Sequence, residues 1–512
     1  MNETGPEEQV EQSRDARETG GRGPGKNGGD SGAPGPLLKN AGWRRIFFLL
    51  LGLAVFAAVN YCSPWPDAVD PAGMAIPLTV QGKGAIALFL MAAVWWGFRV
   101  VPPGVTGLSV GVMQALFAIR PAKDAFGDFM DPAVMFILGS VMAGLAFTRS
   151  GLARRLALKA IEMAGERTSL VLLGCLAATA GLAHFMTHTA AAATVFPIFA
   201  AISGFYQGGS KPTNFGKSLF IGMAYAAAAG GVVSMFGSGR TPVAMGMFRE
   251  FTGKGIAFTD LTAHMFVLGW TMVFLIWAYL CLALRPEKKT VPGLQDRISE
   301  LSSRLGPMTR REWTTVGCFV PVLALLCLQP YIPALRVCDR AAVMLIAGLL
   351  LFLFRVLTAA ELEEVPWNIV LLFGGAISLG LCLWQTGAAR WIAVNGLVWF
   401  LHAHWTVFVL GGALLVLLVA NVFVNSAVPA VVLPVCVVIA KYCGVSGEMV
   451  LYVLLAAAGM PFMLLTGATP NAIAFELRQF TAGEFFRHGI VMSAILMLVL
   501  AAMVLAYGRF SG

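Results

Sequence analysis

The feature that most limits this chain is a series of apolar runs, each long enough to cross a bilayer, recurring from residue 46 to residue 507. A spanning helix needs about 20 apolar residues, and the runs fit about eleven crossings plus two shorter segments that double back. Within hydrocarbon the backbone amides of a span must be paired internally, so the expected fold is an all-α polytopic membrane protein. The composition agrees: 58% of residues are hydrophobic and 12% charged, against roughly a quarter charged in a soluble domain. The net charge of +9 reads as basic cytoplasmic loops, not as a nucleic-acid surface. The nine cysteines are scattered, mostly inside apolar runs and without a CxxC pair. They read as packing residues, not as ligands or disulfides.

The organisation follows from charge and periodicity. Residues 1–42 are rich in Gly, Glu, Arg, Asp and Pro and are expected to form a disordered cytoplasmic tail. They do not read as a cleavable signal, because the first apolar run starts only after Arg44 and Arg45. A first membrane half is expected over 43–285, a cytoplasmic loop over 286–312 and a second half over 313–512. Lys39, Arg44 and Arg45, then Arg149, Arg154, Arg155 and Lys159, then the basic loop fall on one side if a hairpin near 168–206 re-enters from the inside. A second hairpin, near 398–443, then enters from the outside, and the C-terminus ends outside. Arg120, Lys123 and Arg390 oppose this orientation.

The two halves repeat each other. Gly139, Gly144, Gly151 and Arg154 match Gly375, Gly380, Gly387 and Arg390 at a constant offset. Next comes a long apolar segment broken by Thr187-His188-Thr189 in the first half and by Val424-Asn425-Ser426 in the second, with Pro197 and Pro434 at the same spacing beyond. A Gly-rich helix then breaks at Gly237-Ser-Gly-Arg-Thr-Pro242 and at Gly467-Ala-Thr-Pro-Asn471. Interrupted apolar segments at corresponding places in two halves mark the binding site of a secondary transporter. With hairpins entering from opposite sides, the repeats are inverted.

The chemistry expected at these breaks is that of exposed helix ends. The second arm of each hairpin starts near its tip and presents free N–H groups and a positive dipole end. Thr189 and Ser426 are suited to cap that start or to touch a ligand. Unwound carbonyls suit sodium, and amides suit an anion.

At these residues the sequence resembles the divalent anion/sodium symporter family, whose members carry dicarboxylates, citrate or sulfate. That family bears Ser-Asn-Thr at both hairpin tips, and a Thr-Pro-Pro-Asn-like break follows each hairpin. The likeness covers about residues 43–510 and includes the Phe373-Gly-Gly and Thr386-Gly-Ala-Ala-Arg-Trp391 strings. It implies an elevator-type homodimer in a bacterial-type inner membrane, with separate scaffold and transport domains. It places Thr187, His188, Thr189, Asn425, Ser426, Ala427, Arg240, Thr241 and Asn471 at the substrate. It also places Gly237, Thr187, Asn425, Gly467 and Ala468 at two sodium sites. The departures are His188 in place of Asn, Val424 and Ser426 in place of Ser and Thr, and Arg240 and Thr241 in place of Pro and Asn. Imidazole and guanidinium are poor partners for sodium, and Arg stays charged, so the first-half sodium site is the weaker expectation.

His188 is read as a site residue, since an ionisable group within a membrane is functional by default. Arg240 leaves two readings open, a clamp on the carbonyls of a broken helix or a fixed cation in place of sodium. His184 and Asn421 are expected to pack within the hairpin arms or to face the site. Asp128 and Asp131 read as solvated or capping residues, and Glu361, Glu363 and Glu364 as a solvated cluster. The function expected is secondary transport of a small divalent anion, with a di- or tricarboxylate ahead of sulfate or another oxyanion. Sodium symport, sodium-independent exchange and proton coupling remain alternatives, and no other cofactor is expected. A channel would use the same dipoles but pass current without saturation. A membrane-embedded enzyme would need a nucleophile–base pair or a metal cluster, such as HExxH, GxSxG or paired aspartates, and none is expected. The phosphate-binding GxxxxGK[ST] of an ATP-driven pump is absent.

Overall fold

The computed structural model describes residues 36–207, 212–397, 404–422 and 427–510. Among these, the strands are one antiparallel pair, Ala68–Val69 with Ala75–Ile76, and nearly everything else is helix. Residues up to Phe47 form one unit and Phe48–Gly512 another. Helix α1 runs Pro36–Tyr61.

The first repeat holds α2 (Val80–Gly97), α3 (Pro103–Leu116), the short α4 (Ala122–Gly127), α5 (Pro132–Ser150) and α6 (Leu152–Glu162). Its hairpin has arms α7 (Thr168–Leu182) and α8 (His188–Gln207). A broken helix, α9 (Asn214–Gly231) and α10 (Arg240–Thr252), and then α11 (Phe258–Ala283) complete it. Helix α12 (Leu294–Ser303) lies in the connecting loop.

The second repeat runs α13 (Arg310–Leu328), α14 (Arg340–Leu353), the short α15 (Ala359–Glu363), α16 (Trp367–Gln385) and α17 (Ala388–Leu397). Hairpin arms α18 (Trp405–Val422) and α19 (Val428–Tyr442) follow, then the broken pair α20 (Gly447–Gly459) and α21 (Thr469–Phe475), then α22 (Ala482–Phe510). The tip of this second hairpin, with Val424, Asn425 and Ser426, lies outside the described residues.

Nine described helices are long and apolar enough to cross a membrane, and two of these, α8 and α18, are hairpin arms. The other seven, with α3, α14 and the two broken pairs, make eleven elements, the number of crossings expected from the sequence. The breaks are displaced from the sequence reading. The first spans residues 232–239 and the second 460–468, so Arg240, Thr241 and Pro242, like Pro470 and Asn471, are already helical. At the C-terminal end of α9 a β-carbon on Gly230 would lie 2.4 Å from the Ala180 carbonyl oxygen, and at the end of α20 one on Gly459 would lie 2.1 Å from the Val232 side chain.

The repeats interlock. Helix α3 packs on α16, and its counterpart α14 packs on α5. The matched glycines Gly139 and Gly375 lie in these two contacts. A β-carbon on Gly375 would sit 2.2 Å from the Gly107 α-carbon, and one on Gly139 would sit 2.8 Å from the Met344 carbonyl. The half-helix after each break reaches across as well, α10 to α19 and α20, and α21 to α8 and α9.

Helices α9 and α20 are buried along nearly their whole length, so their broken ends sit at the centre of the protein. Against the expectation that no Gly-x-Ser-x-Gly occurs, the pentapeptide Gly107-Leu-Ser-Val-Gly111 spells that hydrolase string. It lies inside α3, where Ser109 Oγ donates to the Val105 carbonyl at 2.9 Å, not on a strand-to-helix turn. The nine cysteines are free, and no cluster of metal-ligating side chains occurs among the described residues.

Arg120 and Asp128 take other places than expected, while Asp131 caps a helix and Glu364 is exposed, as expected. Arg120 is buried and pairs with Asp128 at 2.7 Å, so neither is a solvated loop residue. Asp131 caps α5 through the Ala133 N–H at 2.7 Å. Glu361 and Glu364 are paired with Arg311 and Arg149.

Candidate functional site

The tip of the first hairpin begins the second arm. Thr187 Oγ1 accepts the Ala190 N–H at 3.3 Å, so Thr187, and not Thr189, caps α8. The helix starts at His188. His188 is 9% exposed, and its backbone N–H and its ring Nδ1 each lie 3.0 Å from the Gly237 carbonyl oxygen. A carbonyl only accepts, so Nδ1 carries the hydrogen, and Nε2 is the ring nitrogen able to act on a ligand. The carbonyl that the family likeness assigns to a sodium ion thus receives two hydrogen bonds from one histidine. The approach is close: a β-carbon on Gly237 would stand 2.5 Å from the Ala183 and Gly231 carbonyl oxygens.

His184 ties the same hairpin to the end of α9. Its Nδ1 donates to the Gly230 carbonyl at 3.0 Å, and its Nε2 accepts the Trp270 indole N–H at 3.1 Å. Both ring nitrogens are committed in a neutral tautomer, which is a structural role. Ser234 adds a bond from its hydroxyl to the His184 carbonyl at 2.6 Å.

Asn421 holds the matching position in the second half. Its Oδ1 accepts the N–H groups of Met463 and Leu464 at 2.8 and 3.2 Å, and its Nδ2 donates to the Leu417 carbonyl at 2.8 Å. Asn471 spans the second break, with Nδ2 donating to the carbonyls of Pro461 at 3.0 Å and Leu464 at 2.9 Å. Each half therefore carries a polar side chain in its hairpin arm that pins its own broken helix.

Arg240 opens α10 and is fully buried. Its Nη2 donates to the Gly459 carbonyl, the last of α20, at 3.2 Å. Its Nε and Nη1 lack hydrogen-bond partners among the described residues. Of the two readings left open, this geometry is that of a carbonyl clamp, laid on the broken helix of the other repeat. A cation at a helix C-terminus is favourably placed, because the carbonyl end of the dipole is negative.

These elements enclose a cavity of about 270 Å³. From the sequence-selected residues it takes Thr187, His188, Thr189, Gly467 and Ala468. Ser238, Gly239 and Thr469 from the breaks, Asn368 and Phe373 from α16, and Arg99 from the α2–α3 turn also line it. Arg240 and Thr241 are buried outside the lining, and Ala427 lines a separate apolar cavity of about 310 Å³ against α2 and α18. Asn425 and Ser426 belong to the undescribed tip. Ser238 and Thr469 were legible as hydroxyls within the breaks. Arg99 and Asn368 gave no signal, because they belong to helices that approach the site only in three dimensions.

An all-α body of two interlocked repeats, with a small polar-ended cavity where both broken helices meet a hairpin tip, defines a multi-pass membrane transporter. The chain belongs to the sodium:sulfate symporter family, whose transmembrane region matches residues 46–511. It is similar to the sodium-dependent dicarboxylate transporter SdcS of Staphylococcus saprophyticus, at 25% identity over 453 residues covering 83% of this chain and 86% of that protein. The protein of the same name from Staphylococcus aureus is 26% identical over 464 residues, with 84% and 87% covered. Among solved structures, the YdaH transporter of Alcanivorax borkumensis shares the fold with a TM-score of 0.55 at 15% identity, covering 92% of this chain and 98% of that one.

Proposed function

We propose that this protein is a secondary active transporter of small divalent anions, with di- and tricarboxylates as its substrate class. The observation that carries the reading is the cavity itself, where the α8 start and both helix breaks converge. Backbone N–H groups at helix starts and the hydroxyls of Thr187, Thr189, Ser238 and Thr469 suit carboxylate oxygens. The hairpin tip of the second half, with Asn425, Ser426 and Ala427, completes the site in this reading. The protein works as an elevator-type homodimer in a bacterial plasma membrane. Its N-terminal tail and the 286–312 loop lie inside, and its C-terminus lies outside.

A second reading concerns the driving ion. The two SdcS relatives are named for sodium dependence. Here the Gly237 carbonyl is engaged twice by His188. That supports a first-half site without sodium, and hence sodium-independent exchange or proton coupling. Sodium at the second half, around Gly467 and Ala468, remains compatible with it.

Uptake by the purified protein in proteoliposomes tests both readings. The panel is succinate, citrate and sulfate, with and without sodium and with a preloaded counter-anion. Saturable dicarboxylate uptake is expected. Loss of all uptake without sodium removes the second reading, and no uptake of any panel anion removes the first.

A further inference from the structure

The cavity holds one fixed charge, and it comes from outside the hairpins and broken helices. Among the described lining residues Arg99 alone is a Lys, Arg, Asp or Glu. Arg240 does not serve, since it is buried behind the wall and bonded to Gly459. Arg99 sits in the α2–α3 turn with its φ at +49°, a left-handed conformation that costs a side-chain-bearing residue free energy. Four described non-glycine residues adopt this region, Arg99, Ala118, Arg355 and Arg478, and Arg99 is the one that lines the cavity. The side chain is exposed, and its Nη2 donates to the Thr466 carbonyl in the second break.

We infer that Arg99 is the residue that selects divalent over monovalent anions, by leaving the Thr466 carbonyl to pair with the substrate's second negative charge. This rests on the transport reading above. A backbone carbonyl is a neutral acceptor, whereas a carboxylate or sulfate accepts charge-assisted, bidentate bonds from guanidinium. An entering anion therefore outcompetes Thr466 for the same hydrogens. A monoanion satisfied by the helix starts and hydroxyls leaves Arg99 on its carbonyl and gains nothing from it. Because Arg99 lies on a different element from the hairpin and the breaks, the pair also ties the bound anion to the α2–α3 turn.

The test uses the full-length protein in proteoliposomes, with succinate against succinamate and sulfate against methyl sulfate as matched di- and monoanions. Arg99→Gln is expected to raise KM for whichever dianion the wild type carries by about 10- to 100-fold. It leaves KM for the matched monoanion within about twofold, the scale of surface changes, and moves kcat less than KM. Arg99→Lys keeps a charge at the mouth and restores part of the discrimination. Unchanged dianion KM in Arg99→Gln overturns the inference, and so does an equal rise for both members of a pair, which marks a general distortion. If the wild type carries none of succinate, citrate and sulfate, the transport reading fails and takes this inference with it; if it carries citrate alone, an unchanged citrate KM in Arg99→Gln overturns the inference.

Discussion

Arg240 donates from Nη2 to the carbonyl of Gly459, 3.2 Å away, joining the start of one repeat's second half-helix to the end of the other repeat's first. The link crosses 219 residues of sequence. It puts a positive charge on a helix C-terminus at the centre of the protein, the kind of place where a coupling cation is commonly held in transporters. With two of its nitrogens unpartnered, the guanidinium gains little from hydrogen bonding. Its worth lies in position and charge.

Arg240→Met is therefore expected to separate stability from transport. Removing a buried, half-satisfied charge offsets much of the lost bond, so the net destabilisation stays within about 1–3 kcal/mol. Uptake falls far more. A thermal unfolding curve in detergent, beside initial uptake rates, checks this. A variant that unfolds at room temperature contradicts it.

His188→Asn restores the tip residue usual in the resembling family and removes one of two donors from the Gly237 carbonyl. Sodium is then expected to stimulate uptake by about fivefold or more, the lower end of ordinary coupling between sites. Rates are measured at matched ionic strength with choline replacing sodium. An unaltered sodium response places the driving-ion difference elsewhere.

The matched pins predict matched losses. Asn421→Ala strands the Met463 and Leu464 N–H groups, and His184→Ala strands the Trp270 indole N–H and leaves the Gly230 carbonyl with the Val233 N–H alone. Each stranded buried group costs about 1–3 kcal/mol. Both variants should melt earlier than wild type, with hydrogen exchange quickening first at the breaks. Since both His184 nitrogens are committed, the pH profile of residual uptake in His184→Gln should follow that of wild type.

Glu287 gives a pH dependence outside the membrane spans. Burial alone would raise its carboxyl. The N–H groups of Asn214 and Phe215 and the Tyr206 hydroxyl outweigh this and hold it below the ordinary carboxylate range. A depressed folded-state value favours the ionised form, so its contribution is complete above the unfolded-state value and is lost as pH falls through the folded one. Proteolysis of the 286–312 loop should quicken below that point. Glu287→Gln should show the same sensitivity at neutral pH.

Much of this architecture was legible in the sequence. Apolar run lengths placed the first hairpin at 168–206, and its arms run Thr168–Leu182 and His188–Gln207. The repeat glycines Gly139 and Gly375 mark close helix contacts, as small residues in a span should. Local detail was less legible. The breaks begin earlier than Gly237 and Gly467, at helix ends packed against Ala180 and Val232, and nothing in the local string records those contacts. Arg120 looked like a loop charge because its partner network, Gln114, Asp128 and Ser378, exists only after α3 meets α16. Arg99 was invisible for the same reason, since Thr466 lies 367 residues away.

The crossing of α10 and α21 into opposite repeats has a consequence for the order of synthesis. When the first half has left the ribosome, α10 still lacks α19 and α20, and the cavity wall formed by Gly467, Ala468 and Thr469 does not yet exist. The first hairpin must wait, its cavity wall incomplete, until Gly467, Ala468 and Thr469 have been made. The proposed site therefore closes late in synthesis, and a nascent protein arrested before Gly467 holds only part of its lining.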